Sequence, residues 1–296
     1  MERRKPMKDK AQKRAWAFIV PGVILIVVFV FYPMIQAFVT SFQTGIGANL
    51  KFDGIANYKR LLTDGTFKKA LFNTFIFLVV QVPIMIILAL IISSMLNDSR
   101  LKFKGLFRTA IFLPCVTSLV SYSIIFKSLF ATDGFINVLL MKLNIINSPV
   151  TWVTDPFWAK VLIIIAITWR WTGYNMVFYL AGLQGIDKSI YEAADLDGVN
   201  AFQKFRYITM PLLKPIILFT TINSTIGTLQ LFDEPMNITN GGPANSTITI
   251  SMYIYNLLFK YQPNFGYAAA VSYVIVVLIV ILSIIQLKAG EDKDGE

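Results

Sequence analysis

The chain contains no histidine and only one cysteine, Cys115, which lies inside an apolar stretch. These two scarcities exclude a disulfide framework and a His/Cys metal site. Charged residues make up 15% of the 296 positions, well below the roughly 25% of a typical soluble domain. No G-x-x-x-x-G-K-[ST] phosphate loop occurs, so we expect this chain to bind no cofactor, and any ATP and Mg²⁺ it depends on to sit on other subunits.

Long apolar runs dominate the sequence instead, and hydrophobic residues account for 55% of it. Six runs are long enough to cross a hydrocarbon core of about 30 Å as helices. The first resembles a signal peptide behind its basic tail, but it exceeds an ordinary apolar signal region and lacks a small-residue cleavage site, so we expect it to be retained. The sequence therefore predicts an all-α integral membrane protein with about six transmembrane helices, near 15–38, 70–96, 108–131, 158–183, 212–233 and 267–287.

Lysine and arginine are unevenly divided among the connections. The first 14 residues carry seven and the 97–108 and 184–214 loops four each, whereas the 132–157 and 234–266 loops carry one each. Because cytoplasmic loops carry the excess, we expect both termini in the cytoplasm, with tails at 1–14 and 288–296 around a membrane domain of 15–287. The 39–69 segment is an exception to this rule, because it carries five lysine and arginine residues on the predicted outer side. The net charge of +10 comes from basic residues clustered beside the long apolar runs, where they orient the chain in the membrane. We therefore expect no nucleic-acid partner.

The most informative connection is the predicted cytoplasmic loop 187–211, DKSIYEAADLDGVNAFQKFRYITMP. Capping boxes at Ser189/Glu192 and Asn200/Gln203 predict two short helices. Gly198 suits a left-handed turn between them, and Pro211 is expected to end the second. The first helix carries small and acidic side chains that suit the close approach of a basic partner: Glu192, Ala193, Ala194, Asp195 and Asp197. A well-capped connector with a solvated acidic face would have the same sequence pattern.

This loop resembles the EAA loop of binding-protein-dependent ABC permeases, through Glu192-Ala-Ala-Asp195, Gly198 and the ending Ile208-x-x-Pro211. Other segments resemble the sugar-specific branch related to the maltose transporter, and together they cover most of the chain. These segments are Phe112-Leu-Pro114, Gly134-Phe-Ile-Asn137, Ala181-Gly-Leu-Gln184, Pro211-Leu-Leu-Lys-Pro215 and Thr239-Asn-Gly-Gly-Pro243.

The resemblance implies a multi-pass permease subunit of the bacterial cell membrane. It would pair with a second, similar permease, two ATPase subunits and an extracellular solute-binding protein, and would move a sugar or oligosaccharide inward by alternating access. It would have no enzymatic activity of its own, because ATP is hydrolysed by the partners. Six residues would couple it to an ATPase: Glu192, Ala193, Ala194, Asp195, Gly198 and Pro211.

Polar residues inside the apolar runs are candidates for the substrate path. Arg170 lies about 18 Å into the fourth run at 1.5 Å per residue, where a charge is costly unless it faces a cavity or partner. It could equally be structural, stacked on Trp169 or Trp171. In the fifth run Thr220, Asn223, Gly227 and Gln230 share one helix face, which either packs against another helix or bonds sugar hydroxyls opposite Tyr174.

Other functions fit less well. Glycerol-phosphate or another polyol is an alternative cargo, for which Arg170 would be a phosphate partner. A membrane enzyme needs a nucleophile with a base or paired carboxylates, and an ion channel needs a filter-like repeat or a charged ring. Neither pattern is evident in the sequence.

Overall fold

The computed structural model describes residues 7–47, 49–98 and 100–290. Parts of both predicted tails, 1–6 and 291–296, therefore lie outside the described residues, whereas 7–14 and 288–290 belong to helices. The α-helices are α1 Met7–Ile26, α2 Tyr32–Ser41, α3 Ala56–Leu61, α4 Gly65–Asn97, α5 Lys104–Val116, α6 Leu119–Leu129, α7 Phe135–Lys142, α8 Pro156–Gln184, α9 Lys188–Leu196, α10 Ala201–Lys204, α11 Met210–Leu229, α12 Ile250–Tyr255 and α13 Phe265–Gly290. Strands β1 Gln43–Ile46 and β2 Asn49–Phe52 form one hairpin, and π-helical turns occupy Val27–Phe31, Phe205–Thr209, Pro235–Thr239 and Asn256–Lys260.

Within the described residues, five helices are long and apolar enough to cross a membrane: Trp16–Ser41, Gly65–Asn97, Pro156–Gln184, Ala201–Leu229 and Phe265–Gly290. The predicted third span, 108–131, is instead the pair α5 and α6, which meet at 102°. Thr117 between them is extended (φ −75°, ψ 148°), and Pro114 lacks the N–H that a continuing helix would use. The predicted third span is therefore two helices with a sharp bend between them, and the described residues give the predicted six spans if this bent pair is taken as one.

Contacts divide the described chain into two units, and the first comprises residues 7–63 with Asn256–Tyr273. Its organising side chain is Asn57, which is 3% exposed and donates to the carbonyls of Ser41 and Gln43 at 2.9 and 2.8 Å. These bonds tie α3 to the end of α2 and the start of the hairpin. The Arg60 guanidinium lies 4.0 Å from the centre of the Tyr267 ring. A basic residue of the exceptional 39–69 segment thus has a structural role there.

The second unit, Asp64–Tyr255 with Val274–Gly290, is built around the long helices α4, α8 and α11. One buried cluster joins Phe77 of α4 to Tyr122 and Phe126 of α6 and to Ile163 of α8. Another joins Ala89 and Leu90 to Tyr179 and Leu213. Both clusters use the inward faces of helices whose other sides carry exposed apolar residues, as expected of helices facing lipid.

Between α11 and α12 the backbone is irregular and yet buried. The Asn73 amide donates to the carbonyls of Asn245 and Ile248 at 3.1 and 3.0 Å, and the Thr74 hydroxyl accepts from the Ile250 N–H at 3.2 Å. Buried non-helical backbone requires such partners, because an unpaired buried N–H or C=O group is costly. α4 thus supplies polar anchors for the 230–249 segment.

Asn137 is the polar centre of the region around α7. It is fully buried, and its amide nitrogen donates to the carbonyls of Ala131, Thr132 and Val150 within 3.2 Å. Its oxygen accepts from the Val150 N–H and from Trp152 Nε1 at 3.1 and 3.0 Å. One side chain therefore joins the segment before α7 to the segment before α8.

Candidate transport cavity and coupling segment

A cavity of about 210 Å³ lies between α4, α8 and α11 in the second unit. Two aromatic rings, Trp171 and Tyr174, stand at its α8 wall with centroids 5.6 Å apart and planes at 88°. Asn223, Ser224, Gly227 and Thr228 line the opposite side. The remaining lining residues are Gln81, Met85, Ile167 and Leu231, and none of these ten described residues is charged.

Of the residues that the sequence placed on a substrate path, the structure brings Tyr174, Asn223 and Gly227 into this cavity. A Cβ built on Gly227 would meet no atom within 4 Å, so this glycine faces open space and not a neighbouring helix. Gln230 is absent from the described lining. The helix ends at Leu229, and Gln230 caps it with φ −97° and ψ 10°, so the face projected from helical periodicity does not extend that far.

Thr220, which the sequence placed on the same polar face, is also absent from the described cavity lining. It is 1% exposed, its hydroxyl pairs with Tyr179 Oη at 2.6 Å, and it also bonds carbonyls of its own helix. Its role is helix packing. The stripe therefore combines both alternatives, packing at Thr220 and cavity lining at Asn223 and Gly227.

The second span contributes polar lining that the sequence analysis missed. Thr228 Oγ1 donates to Gln81 Oε1 at 3.3 Å, and Gln81 Nε2 lies 3.2 Å from Met85 Sδ. Gln81 is one of two amide side chains in the apolar run 70–96, with Asn73, and this was an available signal. Ser224 and Thr228 could have been found as neighbours of the predicted Asn223 and Gly227 face.

Arg170 is 8% exposed and forms an ion pair with Glu234, which is 3% exposed, across 3.8 Å from Nη1 to Oε1. Its guanidinium carbon lies 5.6 Å from the ring centres of both Tyr122 and Trp171, so the stacking predicted for Trp171 is present, whereas Trp169 stacks on Tyr122. Arg170 is not among the described residues lining the cavity. Because Glu234 neutralises its charge, the geometry does not support a phosphate-binding role, on which the glycerol-phosphate alternative relied.

The candidate coupling segment, residues 187–211, begins at α9, whose N-cap is Asp187. Its carboxylate accepts from the Ser189 N–H at 2.9 Å, and this hydrogen bond holds the pKa of Asp187 below its ordinary value. The predicted capping box at Ser189 and Glu192 is wrong, because Ser189 already lies inside the helix. The second predicted box is confirmed: Asn200 and Gln203 bond each other's backbone N–H groups at 3.0 and 2.9 Å.

Gly198 ends α9 in the left-handed conformation, with φ 72°, as the sequence predicted. The Val199 N–H donates to the Ala194 carbonyl and the Gly198 N–H to the Asp195 carbonyl, at 3.0 and 3.1 Å. These two bonds form a Schellman motif, which satisfies carbonyls at the helix end. A side chain at position 198 would have to adopt a strained φ.

Pro211 does not end the second helix, and that prediction is wrong. Residues Ala201–Leu229 form one continuous helix, with the π-helical turn Phe205–Thr209 just before Pro211. The Met210 N–H donates to the Phe205 carbonyl, five residues back. The wider turn lets the chain pass a residue that has no N–H and would crowd an ordinary α-helix.

The other residues predicted for coupling lie on α9 with differing exposure. Glu192 and Ala193 are exposed, whereas Ala194 is 7% exposed and faces inward. The Asp195 carboxylate pairs with Lys204 of α10. Two apolar residues of this segment are also exposed to solvent: Leu196 is 91% exposed and Phe202 is 75% exposed. The segment thus exposes apolar side chains on both α9 and α10, and the Asp195–Lys204 pair joins the two helices.

A bundle of membrane helices with an internal cavity and a capped helical projection is the architecture of a transporter's membrane subunit. Residues 62–288 match the family model of the binding-protein-dependent transport system inner membrane component. The chain belongs to this family, and it is an ABC importer permease.

Relatives of known name cover nearly the whole chain. The lactose transport system permease protein LacF of Rhizobium radiobacter is 58% identical over 98% of both chains. The arabinooligosaccharides transport system permease protein AraP of Bacillus subtilis is 35% identical, over 95% of this chain and 90% of the relative. The trehalose/maltose transport system permease protein MalF of Thermococcus litoralis is 32% identical over 96% of both.

A solved structure has the same fold. A chain of a bacterial ABC transporter involved in the import of the acidic polysaccharide alginate superimposes with a TM-score of 0.84, over 95% of this chain and 96% of that one. Its sequence is 21% identical, so this likeness concerns the fold alone.

Proposed function

We propose that this chain forms the substrate path of an importer for a neutral sugar, on the scale of a disaccharide. The observation that carries the proposal is the cavity in which Trp171 and Tyr174 face Asn223, Ser224 and Thr228 with no charged residue among the described lining. Sugars present apolar ring faces and hydroxyl edges. Aromatic rings suit the faces, and amides and hydroxyls, which both donate and accept, suit the edges.

The relatives support this cargo class, since their names specify lactose, arabinooligosaccharides and trehalose/maltose. A carboxylated or phosphorylated sugar would need a cationic partner. Arg170 is the closest candidate, and Glu234 already pairs with it.

The permease would work with a second, similar permease, two ATPase subunits that bind ATP and Mg²⁺, and an extracellular solute-binding protein. The exposed Glu192, Ala193, Leu196 and Phe202 surface would dock on an ATPase, with Asp195, Ala194 and Gly198 fixing its shape. Pro211 would act within the continuous helix that joins this surface to the cavity. The basic 1–14 segment supports cytoplasmic termini around a membrane domain of 15–287.

The experiment fills the cavity without removing a hydrogen bond. Gly227→Leu places a side chain in open space, and we expect uptake of radiolabelled lactose to fall strongly while the transporter still assembles. Asn223→Leu removes hydrogen bonds worth about 0.5–1.5 kcal/mol each and should weaken uptake about 2- to 10-fold. Gly227→Ala is the matched control and should retain uptake, because its methyl group meets nothing within 4 Å.

Subunit recovery is measured on the same preparations. If Gly227→Leu prevents assembly while Asn223→Leu transports normally, the face packs against a partner and the cavity is not the path. If a wild-type transporter imports neither lactose nor another neutral sugar, the proposed cargo class is wrong.

A further inference from the structure

The coupling segment and the cavity are joined by one helix. Residues Ala201–Leu229 are continuous from α10 to the cavity residues Asn223, Gly227 and Thr228. α9, with the exposed surface, lies outside this helix, beyond the turn at Gly198. A movement of α9 can therefore reach the cavity efficiently only if side chains fix α9 to the start of the long helix.

Two side-chain contacts do so. The Asp195–Lys204 ion pair is solvent-exposed, with 67% of the Asp195 side chain accessible, and such pairs contribute little. The second contact is a hydrogen bond of 2.9 Å between Tyr191 Oη and Thr209 Oγ1. Thr209 is 6% exposed, in a segment where most side chains are open to solvent. This second contact is the more effective of the two, because it is partly buried and water competes less for its partners.

The location of Thr209 gives this bond its significance. Thr209 is the last residue of the π-helical turn Phe205–Thr209, directly before the α-helical part that reaches the cavity. π-turns inside α-helices are local departures from regular packing and often occur at functional sites. Without a contact at the cavity-side end of this turn, a push on α9 could be absorbed by deforming the turn.

We propose that Tyr191 is a positioning residue for energy coupling. Its hydroxyl fixes α9 to the cavity side of the π-turn, so that displacement of α9 moves Met210–Leu229 as a rigid body. This inference rests on the proposed importer function, and it assigns to the Tyr191–Thr209 hydrogen bond the transmission step between the ATPase-facing surface and the sugar cavity.

The test measures lactose imported per ATP hydrolysed, with the complete transporter and its binding protein in proteoliposomes. Tyr191→Phe and Thr209→Val each remove one hydroxyl and keep the side-chain shape. We expect either to lower the ratio about 2- to 10-fold, the range for one lost hydrogen bond, while basal ATP hydrolysis is unchanged. Thr209→Ser keeps the hydroxyl and should retain the ratio. The matched control is Tyr207→Phe, because Tyr207 lies in the same turn but is 72% exposed.

The Tyr191→Phe/Thr209→Val double variant should be no worse than either single variant, since both remove the same bond. The ratio is taken per assembled transporter, so reduced recovery cannot imitate uncoupling. Wild-type ratios in both single variants, equal losses in Thr209→Ser and Thr209→Val, or additive losses in the double variant would overturn the proposal. A wild-type transporter that imports no sugar would instead overturn the proposed function.

Discussion

Among the described glycines of the second unit, Gly173 of α8 lies tightest against a neighbouring helix, and this permits a quantitative prediction. A Cβ built there would lie 2.1 Å from the Ile111 carbonyl oxygen and 2.9 Å from the Ile111 carbonyl carbon of α5. Real Cβ contacts essentially never fall below 3.0 Å, so Gly173→Ala requires the helices to separate by about 0.9 Å. Both contacting atoms belong to the α5 backbone, and no flexible side chain can move aside to make room.

Overpacking of this kind costs about 1–3 kcal/mol, and sometimes more. Alanine also gains about 1 kcal/mol over glycine in helix propensity, which opposes the clash. Gly227→Ala separates the two contributions, because it has the same propensity gain and no clash within 4 Å. We therefore expect Gly173→Ala to be less stable than Gly227→Ala by about 1–3 kcal/mol, the full overpacking term.

The assay is thermal disassembly of the detergent-solubilised transporter, followed by subunit recovery after stepped heating. Gly173→Ala should disassemble at a lower midpoint than wild type, and Gly227→Ala at an equal or higher one. Uptake by Gly173→Ala should also fall, because the neighbouring Tyr174 lines the cavity. Equal midpoints for the two variants would refute the close approach of α5 to α8.

Asn137→Leu should lower the disassembly midpoint strongly. It removes the hydrogen bonds to Val150 and leaves the buried Trp152 Nε1–H without an acceptor, and an unsatisfied buried donor costs about 1–3 kcal/mol. An unchanged midpoint would mean that this side chain does not hold the region together. Arg170→Met and Glu234→Leu should each destabilise by about 3–5 kcal/mol by leaving one buried charge unpaired, whereas the double variant should be more stable than either single one. Additive losses in the double variant would show that the two charges do not compensate each other.

The sequence alone identified the class of protein, and it located a candidate coupling segment at 187–211 whose role stays a prediction. Apolar run length depends only on consecutive residues, so the membrane character and five of the six spans were predicted near the helices that the structure contains. Gly198 and the Asn200/Gln203 box are local for the same reason: a left-handed turn and a cap depend on residues within a few positions of each other. Tyr174, Asn223 and Gly227 were found because they are polar or small residues in apolar runs.

Tertiary structure decided where local rules met competing geometry. A proline normally ends a helix, yet the π-turn before Pro211 allows the chain to continue, and this turn has no sequence pattern that marks it. Ser189 fits a cap, but Asp187 two residues earlier takes that position.

The cavity and the charge pair depend on contacts between residues far apart in sequence. Gln81 meets Thr228 because α4 packs against α11, and Arg170 meets Glu234 because the segment that follows α11 packs against α8. Helical periodicity assigns a residue to a face of its own helix, but it cannot give the neighbour of that face or the end of the helix. The helix ends at Leu229, and Gln230 is therefore outside the described cavity lining. The sequence left the Arg170 charge available for a substrate, whereas in the structure Arg170 pairs with Glu234.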